Sequence, residues 1–302
     1  LDGAGLFFFQ IATEARTRLA GAHLVGASMA TTADVVVGYL ANAGVRRIYG
    51  VPGEGSSLDL IEAARVRRIQ FVAAQSAGAA AIMAATDGDL TGRPGVFVVS
   101  HGSSAAGAVA GLGHAYLDRL PLIVLSGCAP RSSHRLGLRR NIDNKHIFQG
   151  VTKDRATITR ARAERLIAWA WEESESLPAG PVHLDLPADE AMGPARRRSL
   201  ATVGVRIEEP SPSAIRTIAR VLTRSGRAVV VAGLGCRDMA VATPLRELVD
   251  HLGVPTLTTP RAKGVIPEDH PLAAGVFSGG RIEEELLARA DSVLAIGLDS
   301  TE

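Results

Sequence analysis

The sequence predicts an α/β protein with two domains, each a doubly wound parallel sheet. Three observations support this class. Short apolar runs alternate with helical segments along most of the chain, the strand-like runs are apolar throughout, and the 302 residues make about two average domains. Strands that are covered on both faces show continuous apolar runs, so these strands are typical of a parallel sheet with helices on either side.

The first domain is predicted at residues 29–190, with five strands and five helices. The strands are expected at residues 47–51, 70–73, 95–100, 121–127 and 181–187. The helices are expected at residues 35–44, 56–64, 77–87, 105–117 and 160–176. Thr32 or Asp34 is the expected cap of the first helix. Gly88 and Gly92 should stop the third helix, and Trp169 should anchor the fifth in the core.

The second domain is predicted at residues 213–302, after a linker at residues 191–212 that is rich in Pro, Arg and Glu. Its strands are expected at residues 228–233, 254–258 and 292–297, with helices at 240–252 and 281–289. No crossover helix follows the last strand, so this domain is expected to be truncated or completed by another chain. Residues 1–28 are interpreted as a leader or an artificial extension, because Met29 opens a more regular pattern. A native N-terminal helix is the alternative.

Composition and charge exclude several classes of protein. Hydrophobic residues make up 46% of the chain and charged residues 21%, which excludes a disordered chain. The net charge is only +2, and the one dense basic run, residues 196–198, fits a solvated linker better than a nucleic-acid interface. Cys128 and Cys236 lie too far apart for a zinc motif or a disulfide framework, so a cytoplasmic location is expected. No apolar run approaches the ~18 residues of a membrane helix.

Three loops follow predicted strands and form the expected ligand-binding edge of the first domain. They are residues 51–54, 74–77 and 101–104. Gly53 and Gly102 would let the backbone approach a flat ligand, although a glycine after a strand more often serves only the turn. In the second domain, Gly233-Leu234-Gly235 is similar to the start of a dinucleotide-binding loop but lacks its third glycine.

A set of short motifs links the chain to a known family. In the first domain these are YGVPG (49–53), AAIMA (80–84), LTGRPGV (90–96), GLGHAYLD (111–118), VTK (151–153) and GPVHLDLP (180–187). In the second they are AKGVIPEDHPL (262–272) and ADSVLAIG (290–297). The first set resembles the pyrimidine-binding domain of thiamine-diphosphate enzymes, in particular the acetolactate synthase, pyruvate oxidase and benzoylformate decarboxylase group. The second set is similar to the central domain of the same enzymes.

The resemblance implies a thiamine diphosphate cofactor bound between two chains. The pyrimidine-binding domain of one chain would hold the aminopyrimidine, and the C-terminal domain of the other would hold the diphosphate through Mg²⁺ with a Gly-Asp-Gly motif. Asp87-Gly88-Asp89 falls in a predicted helix and is not that motif, so Mg²⁺ is expected from a missing or partner domain. FAD, which some relatives bind, is not expected because residues 275–280 lack the matching loop.

The sequence departs from the family pattern at its central carboxylate. In the family, a glutamate on the helix after the second strand hydrogen-bonds the pyrimidine and promotes loss of the thiazolium proton. An ungapped alignment places Ala77 at this position and Ser76 at the preceding histidine. Because alanine has no proton to share, Glu54 is one candidate replacement, and a merely solvated loop residue is the alternative. His101 and His114 are also expected near the cleft, as structural or as acid–base residues.

Two further positions differ from the family. Its Gly-Pro-Gly-Ala-Thr-Asn motif after the third strand reads Ser-Ser-Ala-Ala-Gly at residues 103–107, and Arg140 aligns with a frequent glutamine. The residues expected to face the cofactor are Pro52, Gly53, Glu54, Ala77, Gly102, Ser103, Ser104 and Gly107.

Two functions follow from these observations. The chain is either part of a split decarboxylase or carboligase acting on a small 2-oxo acid, or a non-catalytic subunit that has lost the activating glutamate. A nucleotide-binding module in the second domain is a more distant alternative. The expected assembly is a homodimer or a hetero-oligomer with a diphosphate-binding subunit. The alanine-rich helices at residues 77–85 and 105–115 would lie at its interface or pack only on their own sheet.

Overall fold

The computed structural model describes residues 30–130, 142–195 and 209–302. The predictions for residues 1–28, for Arg140 and for residues 196–198 lie outside these ranges. Backbone contacts divide the chain into two compact units, with the boundary after residue 205. Among the described residues, no helix is both long enough and apolar enough to span a lipid bilayer.

The first unit is built on a six-stranded sheet in which all neighbouring strands are parallel. Its strands are β1 (Arg47–Gly50), β2 (Gln70–Ala73), β3 (Gly95–Val99), β4 (Leu122–Cys128), β5 (Asp154–Thr157) and β6 (Pro181–Pro187). They lie side by side in the order β2-β1-β3-β4-β6-β5. The chain therefore moves outward from β1 to β2 and then crosses back to β3 on the other side of β1. The boundary between β1 and β3 is the topological switch point of the sheet.

Helices cover both faces of this sheet, which confirms the doubly wound prediction. The helices are α1 (Thr32–Asn42), α2 (Ser56–Val66), α3 (Ala77–Thr91), α4 (Ser103–Ala106), α5 (Val109–Leu117), α6 (Asn144–Ile147), α7 (Ala163–Glu175) and α8 (Ala188–Ala191). Buried residues of α1, α2 and α7 form one core with the sheet, and those of α3, α4 and α5 form a second core on the opposite face. Both cores are apolar and closely packed, so the carboxyl edge of the sheet is held rigidly between two layers of helices.

Several local predictions for the first unit are wrong, for identifiable reasons. Thr31, rather than Thr32 or Asp34, caps α1, because its hydroxyl accepts from the Asp34 N–H while the Asp34 carboxylate accepts from the Thr31 N–H. Helix α3 continues through Gly88 to Thr91, so of the two predicted stops only Gly92 ends it, in the left-handed conformation with φ 64°. Gly88 serves packing instead of termination, since a Cβ there would lie 2.6 Å from the backbone nitrogen of Gly95.

Two further predictions are corrected in the same unit. The segment predicted as one helix at residues 105–117 is divided into α4 and α5 at residues 107 and 108. The buried tryptophan of α7 is Trp171 rather than Trp169, which is only partly buried. The Trp171 ring packs edge-on against Tyr39 of α1, with 6.3 Å between ring centroids.

The second unit contains a four-stranded parallel sheet in the order β10-β7-β8-β9. Its elements are α9 (Pro212–Arg224), β7 (Ala228–Ala232), α10 (Met239–Leu252), β8 (Thr256–Thr258), β9 (Ala273–Val276), α11 (Arg281–Arg289) and β10 (Ser292–Ile296). Helix α10 packs on one face of the sheet and α11 on the other, as expected for a doubly wound sheet. Helix α9 and strand β9 were not predicted. No residue of α9 is buried, although Ile215, Ile218 and Val221 recur at helical spacing.

Candidate functional site

The carboxyl ends of β1 and β3 lie on either side of the topological switch point of the first sheet, the place where open α/β sheets have their ligand crevice. Helix α2, which follows β1, packs on one face of the sheet, and α4 and α5, which follow β3, pack on the other. Segments that leave adjacent strands toward opposite faces create an opening between them, and open α/β sheets bind ligands in this opening. The loops that line it are residues 51–55 and 100–102.

The two loops are built alike. Each ends in a glycine that caps the next helix: Gly55 has φ 68° and ψ −140°, and Gly102 has φ 74° and ψ −130°. Residues with a side chain rarely adopt this backbone conformation, so glycine is required at both positions. The residue before each glycine, Glu54 in one loop and His101 in the other, stands at the corresponding place at the edge of the crevice.

The side chains of Glu54 and His101 meet between the two loops. Nε2 of His101 lies 3.4 Å from Oε1 of Glu54. The imidazole is mostly covered, with 18% of its side chain exposed, whereas the Glu54 side chain is 65% exposed. The Glu54 N–H donates to the Ser100 hydroxyl at 3.4 Å, and its carbonyl accepts from the Ser57 hydroxyl at 2.9 Å. The backbone of Glu54 is thus held by both neighbouring elements while its carboxylate reaches the opening.

Gly53 brings these loops into direct contact. A Cβ on Gly53 would lie 2.2 Å from Cβ of Ser100, so only glycine fits between the two loops. The structure therefore gives Gly53 and Gly102 local reasons to be glycine, one for the close approach and one for the turn.

Ala77 lies at the start of α3, on the loop that follows the neighbouring strand β2. Ser76 caps the helix by accepting from the Ala79 N–H at 3.2 Å. The Ala77 methyl group is 6% exposed and belongs to the core that contains Val99 and Ala105. A methyl group at this position offers neither a hydrogen bond nor a proton to a ligand.

The remaining predicted residues distribute along the same edge of the sheet. Pro52 and Ser103 are exposed, and Ser104 is half-buried. Gly107 lies beside the start of α3, because a Cβ on Gly78 would come within 3.1 Å of the Gly107 carbonyl oxygen. His114 does not belong here: it lies in the last turn of α5, which leads to the start of β4 at the opposite edge, and it pairs with Asp118 at 3.2 Å.

A buried polar cluster beneath the carboxyl edge was not predicted. It consists of Ser126 on β4, Asn144 on α6, and His183 and Asp185 on β6, all at most 5% exposed. The Ser126 hydroxyl lies 2.7 Å from Nε2 of His183 and donates to Asp185 at 2.5 Å. The Asn144 amide donates to Asp185 at 3.1 Å and to the Gly127 carbonyl at 3.0 Å. Burial alone would raise the pKa of Asp185, but the hydrogen bonds from His183, Ser126 and Asn144 hold it below its ordinary value.

This cluster is structural rather than a nucleophilic triad. Asp185 contacts the Nε2 side of His183, the same side as Ser126, and Nδ1 of His183 has no partner among the described residues. A triad needs the carboxylate on the other ring nitrogen. The cluster instead ties α6 to the sheet. The sequence did contain a signal for this cluster. Residues 183 and 185 are two positions apart on one strand, so their side chains must point to the same face of the sheet.

In the second unit, residues 233–235 resemble the start of a dinucleotide-binding loop. Other residues of the same chain fill the space beside them. The Leu234 N–H donates to Oε2 of Glu302 at 2.8 Å. A Cβ on Gly233 would lie 2.5 Å from Cα of Leu298. The backbone donor that a phosphate group would use is therefore engaged by a carboxylate in this structure.

Comparison with known proteins assigns both units. The family model described as "Thiamine pyrophosphate enzyme, N-terminal TPP binding domain" matches residues 30–157. The model described as "Thiamine pyrophosphate enzyme, central domain" matches residues 215–302. The chain belongs to the thiamine pyrophosphate enzyme family. The crevice at the β1–β3 switch point lies inside the segment that matches the family's TPP-binding domain.

Several curated members of this family are similar to most of the chain. A probable 2-ketoarginine decarboxylase of Pseudomonas aeruginosa is 30% identical over 278 residues, which is 90% of this chain and 49% of the relative. A probable acetolactate synthase large subunit of Methanocaldococcus jannaschii is 28% identical over 88% of this chain and 46% of its own. A 2-hydroxyacyl-CoA lyase of rice is 32% identical over 78% of this chain and 43% of its own. The chain thus spans about half the length of the curated relatives it matches.

The described residues fit one part of the family's cofactor and not another. Apolar residues at the ends of β1 and β2, Val51 and Ala74, join Ala77 and Ala105 in one core and suit one face of a flat ring. No group of three His, Cys, Asp or Glu side chains in the described ranges is arranged to hold a metal ion. Asp87, in α3, pairs with Arg47 at 3.0 Å. A magnesium-bound diphosphate would therefore need ligands from beyond the described residues.

Proposed function

We propose that this chain forms the pyrimidine-side part of a thiamine-diphosphate-dependent decarboxylase or carboligase acting on a small 2-oxo acid. The observation that carries the proposal is the gathering of the loops after β2, β1 and β3, three adjacent strands, at one carboxyl edge within the TPP-binding segment. The relatives are a decarboxylase, a synthase and a lyase. Each of these names is compatible with making or breaking a carbon–carbon bond.

In this proposal the chain's own residues bind and orient the cofactor. Thiamine diphosphate, when bound, supplies the carbon centre that stabilises a carbanion. Val51 and Ala74, which are partly exposed beside Ala77, would seat one face of the pyrimidine ring, and Gly53 and Gly102 would keep the adjoining backbone close to it. The diphosphate and Mg²⁺ would be held by a further domain or a partner subunit, because hard oxygen ligands are needed there.

The same proposal includes an assembly and a location. The outer side of α3 carries Ile82 and Met83 at 43% and 39% exposure, and Leu117 of the neighbouring α5 is 51% exposed. An exposed apolar surface of this kind favours contact with another subunit, either a second copy or a diphosphate-binding chain. The two free cysteines are compatible with the reducing cytoplasm.

A non-catalytic subunit is the second candidate function. The observation that favours it is the methyl group of Ala77 at the position where the family's proton-relaying carboxylate aligns. In that case the chain would contribute an interface and a cofactor-shaped cleft without catalysing a reaction.

The experiment that separates the two combines the full chain with a chain carrying a Gly-Asp-Gly and downstream Asn domain, sought in a neighbouring reading frame. The two chains are purified together, and CO₂ release from pyruvate and longer 2-oxo acids is measured with thiamine diphosphate and Mg²⁺. Turnover that requires both chains and the cofactor supports the enzyme. A stable complex that binds the cofactor without turnover supports the non-catalytic subunit, and absence of cofactor binding contradicts both.

A further inference from the structure

The loop after β1 carries a carboxylate, whereas the family's carboxylate aligns with a position on helix α3. Of the loops that follow β1, β2 and β3, only the first carries an acidic residue, Glu54. It stands at the switch point, where ligands of open α/β sheets bind. We propose that Glu54, held by His101, is the carboxylate that exchanges a proton with the ligand in this crevice. This inference deepens the proposed function and rests on it for the identity of the ligand, a 2-oxo acid on thiamine diphosphate.

The backbone around Glu54 makes it a positioned group rather than a loose surface residue. Its N–H and its carbonyl are each hydrogen-bonded to a serine hydroxyl, from Ser100 and Ser57. The glycine that follows adopts a conformation with φ 68°, which turns the chain sharply into α2. A reacting group is most effective when neighbouring contacts fix its direction before the ligand arrives.

His101 gives Glu54 an acid–base partner, which a solitary carboxylate lacks. Its Nε2 is 3.4 Å from Oε1 of Glu54, so the second carboxylate oxygen, Oε2, remains available to the ligand. When the imidazole carries a proton on Nε2, that proton faces Oε1 and stabilises the carboxylate after Oε2 has given its own proton to the ligand. Carboxyl and imidazole groups are the usual acid–base catalysts in proteins. His101 is in this scheme a positioning residue, because the more exposed Glu54 is the group that reaches the opening.

An exposed ion pair without function is the alternative, since such pairs contribute little to stability. Three variants separate the two. Glu54→Gln keeps the size and one hydrogen-bond acceptor but removes the charge and the exchangeable proton. Glu54→Asp retains the carboxyl group. Glu62→Gln removes a carboxylate from the following helix, α2, where Glu62 pairs with the exposed Arg65 at 2.6 Å, and serves as the matched control.

The first measurement needs only the chain itself. The imidazole resonances of His101 are recorded by NMR under the same conditions in all variants. Glu54 is the ionisable group that the structure places against His101, and its neighbours in the loop, Ser100 and Gly102, carry no charge. We expect Glu54→Gln to move the ring resonances of His101, because the side chain that lies 3.4 Å from its Nε2 loses its charge. Glu62→Gln should leave these resonances unchanged, and unaltered resonances in Glu54→Gln would overturn the pairing.

The second measurement uses the assembled, cofactor-loaded complex. We expect Glu54→Gln to lower kcat by about 100-fold or more with little change in KM, because loss of a general acid–base group acts on the reaction rather than on binding. Glu54→Asp should recover part of the rate, and Glu62→Gln should match the wild type. Normal turnover by Glu54→Gln in an active complex would overturn this inference and leave the proposed function intact. An inactive wild-type complex would overturn the proposed function and this inference with it.

Discussion

Gly111 and Gly78 meet backbone to backbone where α5 crosses α3. A Cβ built on Gly111 would lie 2.3 Å from the carbonyl oxygen of Gly78 and 2.9 Å from Cβ of Ala81. This contact allows the two helices to lie close together and brings the turn at Gly107 to the start of α3, beside Ala77. The arrangement of the candidate site therefore depends on glycine, which has no side chain, at positions 78 and 111.

The first prediction tests this helix contact. Gly111→Ala should lower the free energy of unfolding by about 1–3 kcal/mol, because the added methyl group must push the helices apart. The gain in helix propensity from glycine to alanine, about 1 kcal/mol, offsets only part of the loss. Urea unfolding followed by circular dichroism measures the difference.

Gly113→Ala is the matched control two residues along the same helix. A Cβ there would lie 3.7 Å from Cγ1 of Val151, an ordinary van der Waals contact. This variant should be as stable as the wild type or slightly more so, as expected for an alanine in a helix. Equal destabilisation by both variants would show that α5 does not approach α3 in the way described.

The second prediction concerns the cap of α1. Thr31→Ala removes the hydroxyl that accepts from the Asp34 N–H at 3.0 Å and donates to its carboxylate at 2.8 Å. The free energy of unfolding should fall by about 1 kcal/mol, which is typical for the loss of an N-cap side chain. Thr86→Ala, at an exposed position inside α3, should not destabilise the chain. Thermal unfolding of the two variants side by side decides whether the capping box forms.

The third prediction is a pH dependence in the second unit. Backbone hydrogen bonds from Gly280 and its neighbours lower the pKa of Glu283 to about 2. Because this value lies below that of an unfolded glutamate, about 4.3, the carboxylate stabilises the folded unit above that pH. Its contribution is lost as the pH falls through the folded pKa.

The corresponding experiment compares wild type with Glu283→Gln between pH 6 and pH 2.5. The difference in melting temperature should be constant in the upper part of this range and shrink progressively below about pH 4.3. Glu285→Gln, an exposed position on the same helix, should show no such dependence. A difference between wild type and Glu283→Gln that does not vary with pH would contradict the assigned hydrogen bonds.

The fourth prediction restores the family's carboxylate. In an assembled, cofactor-loaded complex, Ala77→Glu should raise turnover by about tenfold or more, because a carboxylate beside the pyrimidine assists removal of the cofactor's proton. Ala79→Glu, on the exposed side of the same helical turn, should have no such effect. The rate of CO₂ release reports the outcome. A rate unchanged by Ala77→Glu in a folded, loaded complex would show that residue 77 does not face the cofactor.

The strands of both sheets that are apolar along their whole length could be predicted to within about two residues. Their burial on both faces gives an unambiguous pattern, as in β3 and β4, where nearly every residue is inaccessible. Strand β5 was missed because it lies at the sheet edge and its sequence, Asp-Arg-Ala-Thr, carries no such signal. Helix α9 shows the opposite case, since its apolar residues recur at helical spacing although no element was predicted between the linker and β7.

The loops that follow β1, β2 and β3 could be predicted from the sequence, but the pairing of Glu54 with His101 could not. Glu54 and His101 are brought together by the position of β3 next to β1, which depends on the strand order and not on local pattern. The buried cluster around Asp185 has the same origin, because Ser126 faces Asp185 only through the register of β4 and β6. His114 was misplaced because crossover helices run back toward the amino edge.

The glycine turns at the ends of β1 and β3 have an evolutionary consequence. Gly55 and Gly102 determine the path of the chain, so the side chains just before them can be exchanged without refolding the loops. New reactivity can therefore arise by single substitutions at positions 54 and 101, while the architecture that surrounds them is inherited unchanged.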